Sequence, residues 1–210
     1  MNAAPYPASL TIDYPEKPRD RLTVFFRLFT IIPIAIILGL VSGAASGADR
    51  MKHVSFSWGA AGGVIFTAIL LMILFRQKYP RWWFDWNLAL TRFGYRFTSY
   101  LALLRDEYPS TDEEQAVHLN LTYPDVKKDL NRWMPLVKWF LAIPHYVVLA
   151  ILAIVAIFCV IVAWFAILFT GKFPKGMFDF VVGYMRWGLR VSAYAILLVT
   201  DGYPPFSIEA

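Results

Sequence analysis

Hydrophobic and polar positions change period several times along the chain. Residues 8–14 alternate, with Leu10, Ile12 and Tyr14 set against Ser9, Thr11 and Asp13, and Pro15 stops the run. A strand with one buried face produces this period of two. The alternation returns at 117–123, where Val117, Leu119, Leu121 and Tyr123 oppose His118, Asn120 and Thr122 ahead of Pro124. Phe206 and Ile208 offer one more short strand, so a small extramembrane sheet is expected.

Long apolar runs lie between these strands. The first, about 22–41, is long enough to cross hydrocarbon roughly 30 Å thick. Arg27 stands one turn in, from where it can snorkel to the near surface, and Pro33 predicts a kink. A loop with Asp49, Arg50 and Lys52 leads to a second run, about 58–75. Gly39, Gly43 and Gly47, then Gly59 and Gly63, recur every fourth residue, a spacing that lets helix backbones approach closely in a hairpin. A third run extends from Pro135 to Thr170. As one helix it would be roughly 54 Å long, more than one crossing needs, so a hairpin over 135–170, turning near Ala153–Val155, is expected.

Two further segments carry a helical period, about 81–104 and about 175–199. In the second, Lys175, Asp179, Gly183, Arg186 and Arg190 share one sector, opposite Phe180, Tyr184, Trp187, Val191 and Tyr194. In the first, Arg81, Asp85, Arg92 and Arg96 oppose Trp86, Leu88, Phe93, Phe97 and Tyr100. Such faces predict long amphipathic helices at a bilayer surface.

These segments correspond in order. Lys78-Tyr-Pro-Arg-Trp-Trp-Phe-Asp85 parallels Lys172-Phe-Pro-Lys-Gly-Met-Phe-Asp179, and the register holds without a gap to Leu104 and Leu198, then resumes at Tyr108-Pro109 and Tyr203-Pro204. Upstream, Leu10-Thr-Ile-Asp-Tyr-Pro15 parallels Leu119-Asn-Leu-Thr-Tyr-Pro124, and Arg27-Leu-Phe-Thr-Ile-Ile-Pro33 parallels Lys138-Trp-Phe-Leu-Ala-Ile-Pro144. The pattern predicts an internal duplication, repeat 1 over 1–110 and repeat 2 over 111–210. The expected fold is mainly α and integral to a membrane. Each of two tandem repeats holds a short strand, a membrane helical hairpin and a long amphipathic interfacial helix.

Composition agrees: 58% of residues are hydrophobic, mean hydropathy is +0.51, and Trp and Tyr flank the apolar runs as in an aromatic belt. The net charge of +5 does not point to nucleic acid, because the basic residues border apolar segments and form no single solvated patch. With four inserted helices, only Arg50 and Lys52 fall on the far side. The positive-inside rule then places both termini in the cytoplasm of a multi-pass protein of a bacterial inner membrane. No cleavable signal is expected in the polar, Pro-rich first 21 residues.

The candidate chemistry is sparse. Arg92 with Arg96, and Arg186 with Arg190, stand four apart and project together, with Arg81 and Lys175 a few turns away. They are candidate contacts for anionic lipid headgroups or an acidic partner. Asp85 and Asp179 are candidate polar positions of the repeat core, and pairing of Asp with Arg across the repeat interface is the plainer alternative. Cys159 sits alone in an apolar run, and His145 is the one histidine inside a membrane segment. No catalytic residue, metal site or cofactor is indicated: P-loop, dinucleotide, zinc and nucleophile-elbow patterns are missing, and no carboxylate falls in the middle of a span.

One resemblance is specific. The runs Trp139-Phe-Leu-Ala-Ile-Pro-His145, Ala163-Trp-Phe-Ala-Ile-Leu-Phe-Thr-Gly-Lys-Phe-Pro-Lys-Gly176, Phe178-Asp-Phe-Val-Val-Gly183, Arg186-Trp-Gly-Leu-Arg-Val-Ser-Ala-Tyr194 and Tyr203-Pro-Pro-Phe-Ser207 resemble the bacterial membrane family called domain of unknown function 4389. The likeness covers roughly 123–207. The first repeat matches more loosely, with Tyr108-Pro-Ser-Thr in place of Tyr-Pro-Pro-Phe and an extra Gly-rich loop. The resemblance implies a membrane fold and brings no activity. The expected function is that of a non-enzymatic membrane protein, an accessory, scaffold or regulatory subunit that meets lipids, a membrane protein partner or a second copy of itself. Transport or lipid handling through the paired arginines is the alternative, and a membrane-embedded enzyme ranks third.

Overall fold

The computed structural model describes residues 6–42 and 67–209. Gly43, Gly47, Gly59, Gly63, the loop with Arg50 and Lys52, and the first part of the second apolar run lie outside the described residues. The rest is mainly helical, with one small sheet.

Strand β1 (Ala8–Ile12) pairs antiparallel with β2 (Val117–Leu121), and Leu10 faces Leu119 at the centre of the register. The period of two does what it predicts: Ala8, Leu10, Ile12, Val117, Leu119 and Leu121 are buried, while Ser9, Thr11, His118 and Asn120 are exposed. β2 stops two residues short of the expected 123. Phe206 and Ile208 form no strand among the described residues, because arginines take the carbonyls of Ser207 and Ile208 that a ladder would use.

Helix α1 (Arg21–Thr30) starts at Asp20, whose carboxylate accepts from the Leu22 amide at 3.0 Å. The kink expected at Pro33 is a break at Ile31, followed by α2 (Ile32–Ser42). Helix α3 (Thr67–Arg76) ends in a π turn over Met72–Arg76. Then come α4 (Arg81–Leu101), the short α5 (Val126–Asp129), α6 (Pro135–Leu141), α7 (Ile143–Thr170) and α8 (Lys175–Ala195). Pro144 separates α6 from α7 as Pro33 separates α1 from α2.

Three expectations change. The hairpin over 135–170 is absent: α7 is one unbroken helix of 28 residues, about 42 Å long. Ala153–Val155 contains no glycine, proline or side chain able to satisfy turn amides, so the helical ladder continues until Gly171, at φ 74°, ends it. Second, α8 is not a surface helix but the core of the molecule. It buries Val182, Leu189 and Ala193 with Leu10 and Leu119 of the sheet, and Trp187, Val191 and Tyr194 with Ala142, Leu149 and Leu152. At about 100° per residue these are opposite faces, so the sheet and the first part of α7 lie on opposite sides of α8.

Third, α4 and α8 end at 101 and 195, short of 104 and 199. Leu103 and Leu198 adopt left-handed φ of 62° and 54° and break the helices. A β-carbon there costs roughly 1–2 kcal/mol, which burial of both leucine side chains offsets.

β1 packs on α8 and β2 on α4, while α1 and α8 both pack on α7, and α2 on α4. Two helical stretches, Arg21–Gly39 and Ile143–Thr170, are long and apolar enough to cross a membrane. Their outer faces expose Phe25, Phe29, Ile36, Val147, Ile154 and Phe158, among others.

Candidate functional site

The most heavily built polar feature is a set of buried cations near the apolar helices. Arg27 does not snorkel: it is fully buried, donates to the carbonyls of Tyr100 (2.8 Å) and Arg105 (3.0 Å), pairs with Asp106, and lies over the Tyr100 ring. Arg19, also buried, reaches the same carboxylate at 2.7 Å and donates to the carbonyls of Leu103 and Leu104. Those carbonyls are freed by the left-handed turn that ends α4. At the end of α8, Lys138 is fully buried, donates to the Thr200 carbonyl at 2.7 Å, pairs with Asp201 at 2.6 Å and lies over the Tyr194 ring. Burial pushes the Lys138 ammonium below its usual pKa, against the pull of Asp201. Sequence reasoning missed Arg19, Lys138, Asp106 and Asp201 as site residues. The signal was present, since Arg27 corresponds to Lys138 and each aspartate stands two residues ahead of a Tyr-Pro pair.

Arg92, Arg96, Arg186 and Arg190 are spent mainly on the protein's own backbone. Arg92 donates to the Leu119 carbonyl at 2.8 Å, and Arg186 to the Leu10 carbonyl at 3.0 Å. Each helix thus holds one of the two central residues of the sheet. Arg96 donates to the Ser110 carbonyl at 2.8 Å, and the buried Arg190 to those of Ser207 and Glu209, the latter at 2.9 Å.

The last contacts fasten the C-terminal tail, and Gly183 makes room for it. A β-carbon at Gly183 would stand 2.8 Å from the Ile208 carbonyl oxygen and 3.0 Å from its β-carbon. Gly183→Ala is therefore expected to displace the tail, at a cost of about 1–3 kcal/mol, and to expose residues 203–209 to limited proteolysis. Gly94→Ala in α4, where the added carbon meets nothing within 4 Å, is the control and leaves the cleavage pattern unchanged. A β-carbon at Gly39 meets nothing within 4 Å among the described residues, and the glycines expected to pack with it, Gly43, Gly47, Gly59 and Gly63, lie outside them.

Asp85 and Asp179 are exposed, not in a core. They form i,i+4 pairs with Arg81 (3.4 Å) and Lys175 (3.9 Å) on the first turns of α4 and α8. Arg81 and Lys175 also lie over the rings of Tyr123 and Tyr14, whose hydroxyls donate to the carbonyls of Tyr79 and Phe173. At the start of α4 this leaves an open recess of about 570 Å³, whose basic rim is Lys78, Arg81 and Lys127, with Asp125 as its acidic member.

His145 is fully buried at the start of α7. Its Nδ1 accepts from the Trp187 indole N–H at 3.2 Å, and its ring stacks on Phe206 at 3.9 Å. With Nδ1 as the acceptor the ring proton sits on Nε2, which is buried and finds no partner among the described residues. Among the described residues no three His, Cys, Asp or Glu side chains gather as a metal site. An apolar cavity of about 390 Å³ lies between α1 and α7, against Val24, Leu28, Val160 and Trp164.

Residues 132–207 match the family model described as Domain of unknown function (DUF4389). The match takes in α6, α7, α8 and the docked tail, and with them Lys138, His145, Trp187, Arg190 and Asp201. No curated protein and no solved structure matches the chain.

Proposed function

We propose that this chain, which carries a DUF4389 segment, is a duplicated, membrane-embedded, non-enzymatic protein that serves as an accessory or scaffold subunit. One observation carries the reading. Most of the buried cations donate to the protein's own carbonyls and carboxylates, while the outward faces of α1, α2, α6 and α7 are apolar. Such a molecule has rigid polar wiring and little left over for catalysis, and it offers its surface to lipid or to another membrane protein.

The duplication is supported by contacts that recur across the central Leu10–Leu119 pair: Arg92 on Leu119 and Arg186 on Leu10, Arg27 with Tyr100 and Asp106, Lys138 with Tyr194 and Asp201. Both described ends share one layer, since Tyr6 donates to the Gly202 carbonyl at 3.1 Å, and the basic excess favours the cytoplasmic side for that layer.

The test is native extraction into nanodiscs followed by mass spectrometry. A stoichiometric protein partner is expected. Recovery of the chain alone under mild extraction, or its release from membranes by alkaline carbonate, would count against the reading.

A second reading, anionic lipid handling, moves from the paired arginines to the recess rimmed by Lys78, Arg81 and Lys127. It expects enriched anionic lipid in the nanodiscs, lost in the triple alanine variant of those residues.

A further inference from the structure

Helix α7 is long and apolar enough for a crossing, yet the chain at both of its ends is tied to the same polar layer. At its start, Lys138 pairs with Asp201, the Tyr203 hydroxyl donates to the Leu141 carbonyl at 3.2 Å, and Trp187 bonds His145. At its finish, the Arg19 amide donates to the Gly171 carbonyl at 2.8 Å and the Tyr14 hydroxyl to the Phe173 carbonyl at 2.6 Å. The N-terminal run connects these two places. Tyr6 bonds the carbonyls of Arg190 (3.3 Å) and Gly202 beside the start of α7, and Tyr14 reaches its finish. Between them β1 exposes Ser9 and Thr11, then comes the exposed Asp13, and the paired β2 exposes His118 and Asn120. The polar sheet therefore runs alongside α7, with α8 between them.

A perpendicular crossing by α7 would carry that sheet, its exposed Asp13 and the arginines of α8 through the same depth of hydrocarbon. Asp and Arg at mid-bilayer are strongly disfavoured, and exposed sheet edges are not tolerated there at all. The side-chain pattern of α7 fits a different placement. Ala142, His145, Ala156, Ala163 and Ile167 form one buried stripe against the protein. Val147, Ile151, Ile154, Phe158, Ile161 and Phe165 form the opposite, fully apolar stripe.

Resting on the membrane reading above, we infer that α7 lies along the membrane plane and sinks its outer stripe into the acyl chains of one leaflet, with α8 and the sheet stacked above it towards water. Its occupant is lipid, and the ends of α7 sit at one depth.

The experiment is a depth profile. Single cysteines replace Val147, Ile151, Ile154, Phe158, Ile161 and Phe165 in the full chain carrying Cys159→Ala. Each is spin-labelled after reconstitution into phosphatidylcholine/phosphatidylglycerol vesicles, and depth is read from the ratio of oxygen to nickel-chelate collision rates. All six positions are exposed, so the label perturbs no core. The expected result is similar depth throughout, within about 5 Å, a helix radius. A profile that is shallow at Val147, deepest near Ile154–Phe158 and shallow again at Phe165 describes a crossing and overturns the in-plane placement while leaving the membrane reading intact. Labels equally open to the nickel chelate with and without vesicles overturn both.

Discussion

Asp106→Asn lowers the unfolding free energy by about 3 kcal/mol, the scale of removing one partner from a buried ion pair. The carboxylate serves two buried guanidiniums, Arg19 and Arg27, and both stay in place when it is neutralised. The backbone carbonyls of Tyr100, Leu103, Leu104 and Arg105 still accept from them, which bonds the donors but leaves the positive charges uncompensated. Asp106 is itself about one-third exposed (32%), and water screening keeps the loss from the upper end of the range. Asp201→Asn is the comparison: it strips one partner from one cation, Lys138, and costs less. Denaturant unfolding of detergent-solubilised protein reads both. Losses below about 1 kcal/mol for Asp106→Asn would mean that the carbonyls alone hold the arginines.

Trp187→Ala is the second large effect, about 3–5 kcal/mol. The indole fills the contact between α8 and the start of α7, meets His145 and Phe206 edge-on, and supplies the only bond to His145 Nδ1 seen among the described residues. Its loss opens a cavity and frees the tail that Phe206 anchors, so proteolysis beyond Tyr203 accelerates along with the fall in stability. Trp187→Phe separates the two contributions. It keeps most of the volume and removes the donor, and about 1 kcal/mol is expected, with the tail still protected. Equal losses in both variants would assign the whole effect to the hydrogen bond.

Much of the architecture was legible from local pattern. Alternation at Leu10, Ile12, Leu119 and Leu121 marks the strands because a pleated strand repeats every two residues, and the buried positions match. The starts of α4 and α8 follow Pro80 and Pro174, and the break near Pro33 follows from a missing amide. Each is written within a few residues of sequence.

The site was legible only in outline. Arg92, Arg96, Arg186 and Arg190 stand out as a basic stripe, but the stripe is the same whether it faces phosphate or the carbonyls of a strand and a tail. Asp85 and Asp179 share the helical sector of the arginines, yet a first-turn cation four residues away, Arg81 or Lys175, takes each of them at the surface. The hairpin expected over 135–170 came from matching length to bilayer thickness, and an apolar helix with no breaker has no physical reason to turn.

By itself, then, the sequence determined the strands, the helix starts and the apolar surface, because period, proline and hydropathy act locally. Tertiary structure decided what closes around the polar groups. Arg27 meets Asp106, and Lys138 meets Asp201, across chain separations that no local period encodes. It decided that α8 is a core helix, since its amphipathic period is compatible with water or with a sheet and only the docking of β1 and α7 on opposite faces excludes water. It also decided what fastens the flanks of α7: Asp201 and Tyr203 bond α6 just ahead of it, and Arg19 and Tyr14 bond the turn just after it, residues far from it in sequence.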